Sequence, residues 1–61
     1  MTPNELIATL PKYVQALYSD ATLYWSGDKT IATGERKSLV LNDIKLIKEN
    51  IAALERHLSN S

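Results

Sequence analysis

The chain has no cysteine and no phenylalanine, and only one tryptophan, one histidine, two glycines and two prolines among its 61 residues. Without cysteine there is neither a disulfide framework nor a thiolate metal site, the usual staples of a small domain. Neither sign of charge prevails: seven Lys plus Arg stand against seven Asp plus Glu, with a pI near 6.5. That balance argues against a dedicated phosphate-backbone binder, whose affinity comes from counterion release. No run of about 18 apolar residues occurs, and no basic stretch leads into an apolar run at the N-terminus, so neither a membrane span nor an export signal is read. The chain reads as cytosolic when made. At this length it forms one domain and buries only about 60% of the surface its unfolded form exposes. Oligomerisation is the expected supplement, and the chain is expected to work in contact with something.

The residues present give signals for three helices and one hairpin. Thr2-Pro3-Asn4-Glu5 is a helix start: Thr2 caps, Pro3 takes the first helical position, and Glu5 stands where a capping box needs it. Pro11 lacks the backbone donor and clashes one turn back, which predicts a short helical arm over 2–10 and a separate helix over 11–26. In the second segment Leu10, Val14, Leu17, Ala21 and Tyr24 recur at helical spacing. Tyr18 and Trp25 flank that stripe on one side, Tyr13 and Tyr24 on the other, and the apolar face is wider than one helix partner requires. Gly27 supplies the left-handed residue that ends a helix.

Lys29 to Thr33 and Lys37 to Leu41 read as two short strands joined at Gly34-Glu35-Arg36, a β-hairpin over 28–41 with Ile31, Leu39 and Leu41 on one face. Such a hairpin is marginal alone and would have to pack on the helices. Asn42 then reads as a cap and Asp43 as a dipole-favoured residue opening a helix over 42–58. Ile44, Ile47, Ile51, Leu54 and Leu58 form its apolar seam, with Lys45, Lys48, Glu49, Glu55 and Arg56 on a solvated face. The fold expected from these elements is α+β: two antiparallel helices with a β-hairpin between them, plus the short N-terminal helix before Pro11.

The order helix, Ser26-Gly27, hairpin with Gly34-Glu35-Arg36 at its turn, Asn42-Asp43-Ile44, and Ile51 to Leu54-Glu55 resembles the gpW-like head-completion proteins of tailed phages, over Ala16 to Leu58. The resemblance implies a structural virion protein of the neck: a homo-oligomeric ring beneath the portal protein that helps retain packaged DNA and docks a downstream neck or tail-completion protein. It implies location in the virion neck, after assembly in the host cytoplasm. Two features depart from that pattern. The segment Thr2 to Leu10 is extra, and the basic C-terminal tail of lambda-type members has no counterpart before Ser61. A small nucleic-acid-binding regulator using the hairpin as a ribbon, and a helical protein-interaction module, are the other readings.

No constellation for acid–base or nucleophilic chemistry is present, so no enzyme activity and no cofactor are expected. His57 reads as an exposed residue in a last helical turn. Asp43 with Asp28 or Glu49 lacks the clustered loop oxygens a cation needs, and no metal site is expected. The candidate subunit or portal contacts are Tyr13, Tyr18, Trp25 and Leu46, weighed against plain core packing. Lys29, Arg36 and Lys37 are the candidate basic contact surface, weighed against a solvated strand edge.

Overall fold

A computed structural model describes residues 2–27 and 32–61, and these form two antiparallel helices, α1 over Pro3–Ser26 and α2 over Thr33–Ser59. The molecule is a helical hairpin 46 Å long and about one helix pair in section, at 16 × 15 Å.

The start of α1 follows the sequence signal. Thr2 is extended, its hydroxyl accepts the Glu5 amide at 3.2 Å, and the same hydroxyl donates to Glu5 Oε1 at 3.2 Å. The end follows it too: Gly27 sits at φ 79° and its amide reaches the Leu23 carbonyl. Between them the predicted arm over 2–10 and helix over 11–26 are one continuous 24-residue helix, with Pro11 inside it. Proline removes the hydrogen bond to the Ile7 carbonyl, but Ile7 and Pro11 are both exposed, where water can take that acceptor, and the flanking turns carry the helix through.

The β-hairpin over 28–41 is overturned. Positions 28–31, including Asp28, Lys29 and Ile31, lie outside the described residues. Thr33 to Leu41, the end of one predicted strand and all of the other, form the first turns of α2, which runs for 27 residues. The described residues are all-α, with no strand. The physical reason lies in the period. Arg36, Val40, Asp43 and Ile47 continue the helical spacing of the later stripe upstream without a break. A helix face over 36–54 buries against the stretch of α1 from Leu6 to Tyr24, whereas a five-residue strand would need a sheet partner. Asn42 and Asp43 accordingly sit mid-helix and cap nothing. The N-cap is Ala32, which makes no side-chain cap bond.

The core between the helices is thin. Leu6 and Val40 are its only buried apolar residues among those described, and Arg36, Asp43 and Asn50 are buried beside them. The half-buried apolar residues, Leu10, Tyr13, Leu17 and Tyr24 on α1 and Ile44, Ile47 and Leu54 on α2, complete the contact.

Candidate functional site: the polar seam and the apolar face

Arg36, Asp43, Asn50 and His57 are seven residues apart on α2, the spacing at which side chains return to one line of a packed helix. The first three are buried against α1. Arg36 Nη1 donates to Asp20 Oδ1 of α1 at 2.9 Å, with both side chains mostly covered. Asp43 lies next to the same Asp20. Burial first, then the hydrogen bond with Asp20 and the negative charge of Asp20, push the Asp43 carboxyl up to about 6. A protonated Asp43 can donate to the Asp20 carboxylate, and an ionised one cannot.

One heptad further on, Asn50 Nδ2 donates to the Leu6 carbonyl at 3.1 Å and to Thr9 Oγ1 at 3.0 Å. Thr9 in turn donates to the Glu5 and Leu6 carbonyls, each at 3.1 Å. Asn50 Oδ1 and Asp43 Oδ2 are buried without a hydrogen-bond partner among the described residues. Polar layers at a helix seam cost stability against apolar ones and fix register.

These polar residues take the line on α2 that faces α1, and this turns much of the apolar stripe outward. Ile51 is half exposed and Leu58 is 77% exposed, so the predicted seam of Ile44, Ile47, Ile51, Leu54 and Leu58 meets α1 only along its inner edge, through Ile44, Ile47 and Leu54. On α1 the same rotation leaves Ile7, Val14, Tyr18 and Trp25 exposed. In an antiparallel pair a turn in the same sense from the seam brings both helices' residues to one side of the hairpin. Of the exposed large apolar residues, Ile7, Val14, Tyr18, Trp25, Leu41, Ile51 and Leu58 all fall on that side, and Leu39 alone falls on the other.

The sequence-predicted contacts separate accordingly. Tyr13 and Leu46 come together, lining with Glu49 and Asn50 a shallow hollow of about 170 Å³ on the side away from the apolar face. Tyr18 and Trp25 project outward at 70% and 75% exposure, with the Trp25 ring edge-on to Tyr24 at 5.1 Å. Arg36 is buried in the seam against Asp20 and not on a basic surface, Lys37 is exposed, and Lys29 lies outside the described residues. His57 is exposed in the last turn of α2 beside Arg56 and lines an open notch of about 410 Å³ with Leu6, Ala53 and Asn60. Glu49 is exposed while Asp43 is buried, and no group of three or more metal-ligating side chains occurs among the described residues.

Sequence reasoning missed the seam network of Asp20, Arg36, Asp43 and Asn50. Its signal was the heptad repeat of polar residues through an otherwise apolar face. No described helix is long and apolar enough to cross a membrane. The class defined is an all-α helical hairpin with a polar interior line and an apolar outer face. No protein-family model, curated protein or solved structure matches the chain.

Proposed function

We propose that this protein is a helical interaction module that acts through its apolar face and not through chemistry of its own. One observation carries the reading: the exposed large apolar side chains, Leu39 excepted, are gathered on one side of the hairpin. Scattered apolar residues are ordinary on a surface, whereas a continuous apolar stripe marks a contact. A nucleic-acid regulator is the weaker reading, because Arg36 is committed to Asp20 inside the seam and the sequence is charge-balanced. The test is native mass spectrometry of complexes isolated from the source cells, with the wild-type chain and with Ile51→Glu. Complexes that contain the chain and disappear on substitution support the module. Recovery of the wild-type chain only as an unaccompanied monomer overturns it.

A narrower form of the same reading is the neck connector of a tailed phage, in which such a module would meet the portal protein and the next neck or tail component. The order of Ser26-Gly27, Asn42-Asp43-Ile44 and Leu54-Glu55 supports it, as do the outward Tyr18 and Trp25, residue types enriched at interfaces. The helical conformation of 37–41 stands against it, since the resemblance implies a hairpin there. Mass spectrometry of purified virions separates the two forms. Finding the chain in the particle supports the connector, and its absence from the particle discards it.

A further inference from the structure

We infer that the occupant of the apolar face is a second copy of this chain, and that two hairpins stack through it as a two-fold four-helix bundle. The inference rests on reading that face as the working surface, and adds the identity of the partner.

Tyr13 and Asp20 on α1 and Asp43 and Asn50 on α2 mark the line between the two helices. One residue beyond that line stand Ile7, Val14 and Ala21 on α1 and Ile44, Ile51 and Leu58 on α2, all on the same side of the hairpin. Between the two lines each helix has three further apolar residues: Leu10, Leu17 and Tyr24 on α1, and Val40, Ile47 and Leu54 on α2. A helix packed on one neighbour needs a narrow stripe, and a helix in a four-helix bundle must face two. Both helices have the second seam.

A compact monomer of 6.8 kDa exposes about 4,000 Å² by the usual scaling of surface with mass. This chain exposes 4653 Å², an excess of roughly 700 Å² by that scaling. A standard two-body interface takes about 800 Å² from each partner. The excess is close to what one copy would give up, and the 46 × 16 Å extent of the hairpin gives a face of the necessary size.

Lys48 and Glu55, one heptad apart, edge the apolar face of α2 and are both exposed. A two-fold axis between them sets Lys48 of each copy against Glu55 of the other, so the surface complements itself. With formal net charge zero, two copies carry no overall repulsion.

The test is sedimentation equilibrium of the full chain over a thousandfold concentration range, with helicity followed by circular dichroism. The expected result is a species of twice the chain mass that gives way to monomer on dilution, with helicity falling in step. Val14→Glu and Ile51→Glu, one on each helix, are each expected to weaken association by at least about 100-fold, because either buries an unpaired carboxylate. Asn42→Glu, exposed on the other side, leaves it unchanged. A helical wild-type chain that stays monomeric throughout overturns the inference, as does a dimer that survives both face substitutions and is lost with Asn42→Glu. The wild-type measurement decides the matter even where a variant fails to fold. A monomer that still forms an Ile51-dependent complex with another protein would overturn the second copy and leave the module reading standing. A monomer that cosediments with phosphatidylserine vesicles would overturn both, and assign the face to a lipid surface.

Discussion

Asn50 donates its side-chain amide across the hairpin to the main-chain carbonyl of Leu6 at 3.1 Å, joining α2 to the first turns of α1 over 44 positions of sequence. A helix carbonyl already serves its own helix, so this bond uses acceptor capacity that the Leu6 carbonyl also offers to Thr9 Oγ1, and Thr9 Oγ1 takes the other Asn50 contact at 3.0 Å. With Asn50 only 5% exposed, the pair sets how far α2 slides along α1.

Removing that tie has two separable consequences. Asn50→Ala is expected to cost about 1 to 2 kcal/mol, the usual loss for buried hydrogen bonds together with some packing. Asn50→Leu is expected to keep or raise stability while relaxing register and the number of copies that assemble, as apolar replacement of a buried polar seam residue does in coiled coils. Urea unfolding reads the first effect and sedimentation equilibrium the second. A loss of stability in Asn50→Leu as large as that in Asn50→Ala would refute the register role.

The Asp20, Arg36 and Asp43 cluster gives a pH dependence of definite sign. The Asp43 carboxyl titrates at about 6 in the fold against 3.8 in its ordinary state, so the folded chain binds its proton more tightly. Its contribution is fully present below about 4 and is lost as pH rises through about 6. Asp43→Asn, which keeps the shape and carries no titratable proton, should therefore gain on wild type as pH is raised from 4 to 7.5. Equal slopes of stability against pH for the two proteins would count against the buried pair. In Asp20→Asn the negative neighbour is gone, and the Asp43 carboxyl should titrate lower by nuclear magnetic resonance.

Pro11 stands inside α1 with the helix continuous through it. Pro11→Ala restores a donor for the Ile7 carbonyl and removes the ring clash. A gain of about 1 to 3 kcal/mol is expected, given the roughly 3 kcal/mol by which proline trails alanine within a helix. Thermal unfolding measures it, and a lower melting temperature in the variant would mean that the proline shapes the helix for packing.

At Gly27 the cost is confined to the backbone. The residue is at φ 79°, and a Cβ there would meet nothing within 4 Å. Gly27→Ala is expected to lose about 1 to 2 kcal/mol from the left-handed conformation alone, and Gly27→Asn less than Gly27→Ala, since asparagine tolerates that region. Comparing the two variants by chemical denaturation separates backbone strain from lost packing.

Where sequence reasoning succeeded, the cause was local. The Thr2 cap, the Gly27 stop and the helical spacing from Leu10 to Tyr24 each act within one or two turns of chain, and each is found in place. It failed at Pro11, where a local penalty was outweighed by the helix on both sides. It failed again at 33–41, where Gly34-Glu35-Arg36 suggested a turn and Lys37 to Leu41 a strand. There the decisive fact was non-local: Arg36 pairs with Asp20 of α1, and Val40, one turn on along the same helix face, is buried. Candidate contacts were legible as residue types and not as places. Tyr13 and Leu46 share a hollow, while Tyr18 and Trp25 face away from it.

The sequence by itself determined that the chain is small and without staples, that a helix starts at Thr2-Pro3 and one stops at Gly27, and that the apolar face ahead of Gly27 is wider than one neighbour requires. Those properties follow from capping chemistry, backbone freedom and a 3.6-residue period, all of which act along the chain. Only the tertiary structure decided which line of each broad face turns inward. A wide apolar stripe can meet its partner at several rotations of nearly equal burial, and the choice falls to the few polar groups that must find one another across the seam. Asp20 with Arg36 and Leu6 with Asn50 make that choice, and by making it they leave Val14, Ile51 and Leu58 facing outward.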